Sequence, residues 1–498
     1  MMTQNMGFQI KMDFACIEDI VPQDHFLRKV DSFIDFSFVY NEVRSYYCQD
    51  NGRPSTDPVV VVKYLLLGFL YGIESERGIE RDITDRASFR WFLGLNLSDK
   101  APDHSTISQL RRRKFNGTDL FRKIFEHILA ACIENGLVDG KLILTDSTHV
   151  KANASKQSEI KVEIEKETST YWERLDKYEK IEREQLESAG KIPIVKRRQK
   201  SKAEPKTVER TVSMTDPDAG RLNRPGKPEG MHYLDHQSID GKKGIIVDVA
   251  VTPGNVADCV PYLDRIEHME NMLDIKAVAV DSGYDTSLIH KELEERGIEI
   301  FTPEKAVSDT SKAEFKRADF SYDEAKDEFT CPNGAKLRLS RLQRNESSVT
   351  REYKANTKDC KACLHREKCL APSQQCRRLQ VNIFEEIVKR HHSRDGSPAY
   401  KAALCARQIW SEGTFATQKE RHNLKRIFRR GIEAAETHCL LSAIAVNLKR
   451  MVKCMDHAQN RAKATLCLTC NIVISVFLHR VFVGLRYALK KYPLCCCI

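Results

Sequence analysis

Two short apolar runs, each followed directly by an aspartate, most constrain the fold of this chain. Lys141 to Thr145 has the pattern of a strand that ends at Asp146, and Ile275 to Val280 that of a buried strand that ends at Asp281. Around them, apolar runs bounded by turns alternate with segments of helical spacing, which is typical of an α/β sheet. Ligands bind at the carboxyl edge of such sheets, so the two carboxylates are predicted to meet there. One aspartate after a strand more often caps a helix or forms a turn, but two in one sheet favour a metal site.

The rest of the predicted sheet domain follows from the same patterns. Its other strands are Gly244 to Thr252 and Ile298 to Thr302, and its helices are Pro261 to Met269, Ser287 to Arg296 and Ala434 to Met451. Two insertions interrupt it. Residues 158–210 are rich in Glu and Lys with helical periodicity from Ile160 to Leu186, which predicts a helical hairpin or a partly disordered segment. Residues 307–378 are rich in cysteine.

The first part of the chain, from about residue 17 to 135, has helical spacing and predicts a compact all-helical module. Its helix from Thr106 to Phe115 carries a run of cations, Arg111, Arg112, Arg113 and Lys114. These can contact DNA phosphates, although a surface helix with a basic end explains the run equally well. Lys and Arg outnumber Asp and Glu by 80 to 70, and the excess also clusters at Lys196 to Lys202 and Arg421 to Arg430. Clustered cations indicate an acidic polymer as partner.

A third acid is needed if two divalent ions about 3.5 to 4 Å apart are to be held for phosphodiester chemistry, and Glu412 is the candidate. It lies in a predicted helix from Tyr400 to Asn423, together with Arg407. Lys419 lies two helical turns beyond Glu412 and projects the same way. Spacing alone favours ordinary exposed charges on this helix. The basic segment that follows is suited to phosphate contacts, and its candidates are Arg421, Lys425 and Arg426.

As a set, the motifs around these acids resemble the catalytic core of bacterial insertion-sequence transposases with a DDE triad. The motifs are Thr145-Asp146-Ser147-Thr148-His149, Val280-Asp281-Ser282-Gly283-Tyr284-Asp285, and Glu412 followed by Phe415 and Lys419. The segments Asn51 to Pro58, Arg90 to Leu95 and Pro102 to Thr106 are similar to the helical N-terminal domain of the same group. The likeness runs from about residue 15 to Lys453.

The resemblance implies a ribonuclease H-like core, Mg²⁺-dependent hydrolysis at the ends of the element, and transfer of the resulting 3′-hydroxyl into target DNA. Asp146, Asp281 and Glu412 would bind two Mg²⁺ ions in a protein that acts on double-stranded DNA as a homodimer. The family signature has a Tyr and an Arg before the Glu and a Lys after it. Lys419 matches the last spacing, whereas Arg407 is one position off and Tyr400 lies farther away than the signature places its Tyr.

The implied organisation is a helical DNA-binding domain at 15–135, a ribonuclease H-like catalytic domain at 140–453 that contains the two insertions, and a tail at 454–498 of unknown role. Two other functions stay open: a metal-dependent nuclease that does not join DNA, and a zinc-containing DNA-binding regulator with an inactive site. Met1 to Cys16 lacks the features of a secretory leader, and the apolar stretch from Cys467 to Leu489 is interrupted by charges. A cytoplasmic, nucleoid-associated protein without a membrane partner is therefore expected.

Four of the 17 cysteines form a candidate zinc site in the second insertion: Cys331, Cys360, Cys363 and Cys369. They include a Cys-x-x-Cys pair, and four thiols match the tetrahedral geometry of structural zinc. Cys376 and His365 are alternative ligands, and free thiols explain the pattern equally well.

Overall fold

The computed structural model describes residues 15–48, 55–165, 169–191, 207–223, 229–305, 314–345 and 347–458. Three sequence features on which predictions were made lie outside the described residues. These are Asn51 to Pro54 of the N-terminal motif, the basic cluster Lys196 to Lys202, and the tail beyond residue 458.

The described chain begins with eight helices, as the helical spacing predicts. They are α1 Ile17–Ile20, α2 Phe26–Phe33, α3 Phe38–Val43, α4 Pro58–Tyr71, α5 Glu76–Asp85, α6 Ala87–Phe92, α7 His104–Leu110 and α8 Leu120–Glu134. Helix α7 continues into one π-helical turn, Arg111–Phe115, which carries the predicted basic run.

Helix α4 forms the centre of this module because its sequence sets both ends and most of its length is buried. The Asp57 side chain caps it by accepting a hydrogen bond of 2.7 Å from the N–H of Val59, and Pro58 occupies a position whose N–H needs no partner. Gly72 ends it with a φ of 69°, which favours glycine. No single helix in the described ranges is long and apolar enough to cross a bilayer; α4 and α5 pass that test only together, with a bend of 94° between them.

The following domain is a mixed sheet with helices. Its elements are β1 Leu142–Lys151, β2 Glu159–Glu165, α9 Thr170–Ser188, β3 Thr207–Ser213, β4 Gly220–Leu222, β5 Gly230–Asp240, β6 Ile246–Pro253, α10 Tyr262–Glu270, β7 Ala277–Ala279, α11 Ser287–Glu295 and β8 Glu299–Phe301. The strand order is β6-β5-β1-β7-β8, and β4 pairs with β5 as well. The pairs β6/β5 and β5/β1 are antiparallel, and β1/β7 and β7/β8 are parallel.

Strand β1 does not end at Asp146, as the sequence pattern indicated, but continues to Lys151. The second half of β1 pairs with β5, so that Asp146 lies opposite Gln237 and Lys151 opposite His232. Strand β5 has no counterpart in the predicted elements because its sequence is strongly polar. All eleven of its residues are nevertheless buried, since β5 lies inside the sheet between β1 and β6.

Within its described residues, 158–165, 169–191 and 207–210, the first insertion has one helix, α9, and strands β2 and β3, which pair as a two-stranded ribbon, in place of the predicted helical hairpin. Helix α9 packs against the second insertion, where the Nε of Arg351 donates to the Oε1 of Glu182 at 2.6 Å. The two insertions therefore pack against each other rather than projecting separately into solvent.

The second insertion is a small antiparallel sheet of order β13-β12-β11-β10-β9 with its own apolar core. Its elements are β9 Ser321–Asp323, β10 Glu328–Thr330, β11 Lys336–Arg344, β12 Val349–Ala355, α12 Thr357–Lys361, α13 Arg366–Cys369 and β13 Arg378–Asn382.

The chain then returns to the main sheet through helices. They are α14 Glu385–His392, α15 Pro398–Arg407, a π-helical turn Gln408–Glu412, α16 Gly413–Arg421, and a last helix α17 from 432 to the end of the described residues at 458. The predicted helix from Ala434 to Met451 is thereby confirmed. The Asn447 side chain of α17 bonds to both backbone groups of Ile246 in the edge strand β6, at 2.8 Å each.

Candidate active site

The parallel pairing of β1 with β7 brings the two aspartates side by side. Leu142 lies opposite Ala277 and Leu144 opposite Ala279. Asp146 lies two residues beyond Leu144, and Asp281 lies two residues beyond Ala279. The same register therefore brings Asp146 opposite Asp281. Their charges interact, because Asp281 raises the pKa of Asp146.

Asp146 is a carboxylate held in a mostly buried position. Its side chain is 18% exposed. Burial is the largest effect and raises its pKa to about 6, while the Arg407 guanidinium opposes that rise. The Nη1 of Arg407 lies 3.1 Å from the Oδ2 of Asp146. Asp146 therefore depends on a neighbouring cation to stay ionised near neutral pH.

The π-helical turn between α15 and α16 sets the relation of Arg407 to Glu412. In an α-helix, residues five apart point in different directions, whereas a π turn has i to i+5 bonding and brings such residues to one side. The Nη2 of Arg407 accordingly lies 4.0 Å from the Oε1 of Glu412. Arg407 therefore contacts both Asp146 and Glu412.

Lys419 also reaches the sheet. Its Nζ donates a hydrogen bond of 2.6 Å to the Oγ1 of Thr148, which lies two residues beyond Asp146 on the same face of β1. Arg407 and Lys419 thus contact alternate residues of one strand, so the segment from α15 to α16 runs along β1.

Asp258 is a neighbouring carboxylate that the sequence interpretation missed. It accepts a hydrogen bond of 2.7 Å from the Oγ of Ser147, and its charge contributes to the raised pKa of Asp146. A Cβ on Gly283, two residues after Asp281, would lie 3.2 Å from the Oδ2 of Asp258. The available signal was the turn at Pro253-Gly254-Asn255, directly after a strand of the same sheet.

The predicted DNA-binding cations have different surroundings. Arg111 is mostly enclosed and pairs with Glu76, whereas Arg112 and Arg113 are exposed. The Nζ of Lys114 lies 4.3 Å from the centre of the Tyr47 ring. In the segment after α16, Arg421, Lys425 and Arg426 are exposed, and Arg426 also donates to Asn153 at 3.0 Å.

The four cysteines of the second insertion line one small cavity of about 30 Å³. The backbone N–H of Ala335 donates to the Sγ of Cys331 at 3.3 Å, and burial raises the pKa of the Cys360 and Cys369 thiols. The described residues form two groups of three metal-ligand atoms within 4.8 Å of one another, and neither contains a cysteine. The thiols are therefore neighbours without the close spacing of bound zinc.

Two family models of transposase domains match this chain. Residues 15–113 match a transposase domain family (DUF772), and residues 330–452 match a transposase DDE domain family. The chain belongs to the DDE transposases. No curated protein matches the transposase sequence. Among solved structures, it is similar to the piggyBac transposase synaptic complex with hairpin DNA at 8% identity, with a TM-score of 0.28 over 86% of this chain and 81% of that chain. So low a score carries no argument about the fold.

The two matched segments contain different parts of the transposase. The first includes α1 to α7 and the exposed Arg112 and Arg113. The second includes the second insertion from residue 330 onward, Glu412 and Lys419, but neither Asp146 nor Asp281. The relation of these two aspartates to Glu412 rests on the strand pairing and on Arg407.

Gly244 fixes the π turn of the transposase, and Gly244→Ala tests its importance. Gly244 has a φ of 74°, and a Cβ there would lie 2.3 Å from Cε3 of Trp410, inside the turn. We expect a loss of about 1–3 kcal/mol in the free energy of unfolding, together with slower DNA cleavage, because Trp410 must move. Gly297→Ala is the matched control, since Gly297 has a φ of 71° with nothing within 4 Å. Thermal unfolding that shows equal losses for the two variants would contradict the proposed role of Trp410 packing.

Proposed function

We propose that the transposase cuts DNA at the ends of its element and joins the freed 3′-hydroxyl to target DNA, with Asp146, Asp281 and Glu412 as ligands of two Mg²⁺ ions. The observation that carries this proposal is the pair of contacts that Arg407 makes with Asp146 and Glu412. The register of β1 and β7, which brings Asp281 beside Asp146, supports it. The strand order β6-β5-β1-β7-β8, antiparallel in its first three strands and parallel in its last three, supports a ribonuclease H-like core.

The donors fit divalent ions in their chemistry. Asp146, Asp281 and Glu412 offer only carboxylate oxygens, which Mg²⁺ prefers. The three do not form a group of oxygens within 4.8 Å among the described residues, but a pair of ions needs ligands spread around both. When bound, such ions supply positive charge that lowers the pKa of an attacking hydroxyl and stabilises the leaving oxygen.

The cations of the chain have separate roles in this proposal. Arg407 neutralises Asp146 and Glu412 in the absence of other cations and is placed to contact a DNA phosphate beside them. Lys419, which bonds to Thr148 on the same strand as Asp146, would contact a DNA phosphate close by. The exposed Arg112, Arg113, Arg421, Lys425 and Arg426 and the half-buried Lys114 would bind phosphates farther along double-stranded DNA. Arg111 would stabilise the N-terminal helical module through Glu76. We also propose that the protein binds DNA as a homodimer.

A strand-transfer assay tests the proposal. Purified protein is incubated with labelled oligonucleotides that carry the element ends, a target plasmid and Mg²⁺. Cleaved ends covalently joined to the plasmid support transposition. Hydrolysis without joining would instead assign a nuclease, and binding without either reaction a DNA-binding regulator.

The raised pKa of Asp146 predicts how cleavage depends on pH. At limiting Mg²⁺, the cleavage rate should fall about tenfold per pH unit below about 6, because protonated Asp146 cannot ligate an ion. At saturating Mg²⁺ the midpoint should move to lower pH, because the ion competes with the proton. Initial rates on preformed DNA complexes between about pH 5 and 8 measure both profiles. A midpoint that does not respond to Mg²⁺ would exclude Asp146 as the group that titrates.

We also propose a structural zinc ion at Cys331, Cys360, Cys363 and Cys369, supported by their shared cavity and by the N–H donated to Cys331. Bound thiolates lie about 3.8 Å apart, so the side chains would have to turn toward one another. We expect one zinc equivalent at these thiols, lost in Cys363→Ser and retained in the control Cys405→Ser, which changes an exposed cysteine of α15. Mass spectrometry after anaerobic purification measures it. Equal zinc contents of the Cys363→Ser and Cys405→Ser variants would show that these four thiols are free.

A further inference from the structure

A second group of metal-ligand side chains lies between α11 and α14, apart from the three proposed catalytic acids. Asp285, His290 and His392 bring one carboxylate oxygen and two ring nitrogens within 4.8 Å of one another. The Oδ1 of Asp285 lies 2.8 Å from the Nε2 of His290 and 3.1 Å from the Nε2 of His392. His290 is fully buried, and the side chains of Asp285 and His392 are 7% and 12% exposed. The three atoms thus converge in a nearly enclosed space.

The other nitrogen of each histidine is already bonded. On one side, the Nε2 of His391 lies 3.0 Å from a Glu294 oxygen, and the Nδ1 of His391 lies 2.8 Å from the Nδ1 of His290. A carboxylate can only accept, so neutral His391 carries its proton on Nε2, accepts at Nδ1, and receives the Nδ1–H of His290. The Nε2 of neutral His290 is then left with a lone pair toward Asp285.

The same logic applies to His392. Its Nδ1 lies 2.9 Å from the Oδ2 of Asp395, and a neutral ring that donates there keeps its Nε2 lone pair free. The Asp285 carboxylate is itself oriented by the Lys305 N–H, which donates to its Oδ2 at 2.7 Å. In the neutral form of both rings, two nitrogen lone pairs and a carboxylate oxygen face one another, so that a cation, either a metal ion or a proton on an imidazole, is needed among them.

We propose that Asp285, His290 and His392 bind one divalent transition-metal ion of the zinc class. Two imidazoles and one carboxylate suit zinc, cobalt or nickel rather than Mg²⁺, whose ligands are oxygens. A tetrahedral ion with bonds of about 2.0–2.1 Å sets its ligand atoms about 3.3 Å apart, so the two separations between Asp285 and the histidine nitrogens need to widen by only a few tenths of an ångström. Glu294 and Asp395 would be the outer carboxylates that orient metal-binding histidines.

The ion would connect the segment before the second insertion with the segment after it. His290 belongs to α11, before that insertion, and His392 ends α14, after it. Helix α15 begins at Pro398, six residues beyond His392, and ends at Arg407. The metal would thereby fix the start of the segment that carries Arg407 and Glu412, without contacting either. This inference does not depend on the proposed transposition chemistry.

Metal analysis of the full-length protein tests the site. After removal of metal with a chelator and reloading with Zn²⁺, the double variant His290→Gln, His392→Gln should hold one zinc equivalent less than the wild type. The control variant His268→Gln changes an exposed histidine of α10 and should hold as much as the wild type. The thiols are intact in all three proteins, so zinc bound to cysteine cancels in the comparison. Equal zinc in the double variant and the wild type would overturn the proposal.

Cobalt gives an independent readout that does not require the buried histidine to be changed. In a Cys360→Ser, Cys363→Ser background, Co²⁺ should give the visible absorption of a tetrahedral nitrogen and oxygen site, and Zn²⁺ should abolish it. Adding the single change His392→Gln, at the least buried of the three ligands, should abolish the band while circular dichroism stays unchanged. Absence of the band in the thiol-deficient background, with the fold retained, would show that protonated histidines alone hold this network together.

Discussion

Asp146→Asn should abolish DNA cleavage while DNA binding and folding are retained. The amide keeps the size of the side chain and removes its charge. Asp146 is largely buried with a raised pKa, so the folded protein already opposes ionisation there, and a neutral residue should cost little stability. Loss of a metal ligand removes several kcal/mol of transition-state stabilisation, which corresponds to a fall in cleavage rate of at least about 10³-fold.

Three measurements separate this result from a loss of folding or of binding. Cleavage of end-bearing oligonucleotides should disappear, whereas their mobility shift and the thermal unfolding midpoint should stay near those of the wild type. The control is Asp274→Asn, an exposed aspartate just before β7 that pairs with Lys276, and it should leave cleavage unchanged. Cleavage by Asp146→Asn at the wild-type rate would remove Asp146 from the triad.

Glu412→Gln should have an effect of the same size for a different structural reason. Glu412 is 55% exposed and ends the π turn, so neither burial nor core packing requires a carboxylate there. A residue with no structural need for its charge, held 4.0 Å from the guanidinium that pairs with Asp146, is expected to act on a shared cation. We expect a fall in cleavage of at least about 10³-fold with unchanged stability.

The matched control is Glu420→Gln, which changes an exposed glutamate on the next helix, α16. The double variant Asp146→Asn, Glu412→Gln gives a further test. If both residues hold the same ions, the double variant should be no slower than the worse single variant, because groups that act as a unit are not additive. If the loss of cleavage rate in the double variant equals the product of the losses in the two single variants, the two acids act in separate steps.

The sequence was sufficient to predict which two acids follow neighbouring strands. An apolar run followed by an acid predicted Asp146 and Asp281 on one sheet, and the parallel pairing of β1 with β7 places them side by side. The third acid could not be placed by spacing, because an ideal α-helix puts residues 407 and 412 on different sides. The π turn brings residues 407 and 412 to the same side. Its Trp410 packs against Gly244, which is a contact between residues 166 positions apart.

Strand β5 was not predicted because its polar composition does not indicate that it is buried. A segment with Asp235, His236, Gln237 and Ser238 has the composition of a loop, yet all four are buried. Some of their polar groups find partners that only the folded sheet provides, such as Arg265, which donates to Ser238 at 2.9 Å. Such long-range compensation leaves no local pattern in a sequence. The continuation of β1 beyond Asp146 was missed for the same reason, because it depends on pairing with β5.

The bond from Asn447 to Ile246 has a consequence for the synthesis of this protein. Ile246 belongs to an edge strand, and unpaired edges recruit strands from other chains. The amide that covers this edge lies 201 residues later. At about 5–20 residues per second, the ribosome delivers it roughly 10–40 s after the strand emerges. Chains that stop before residue 447 keep that edge open, so prematurely terminated copies should aggregate instead of accumulating as soluble fragments that compete for DNA.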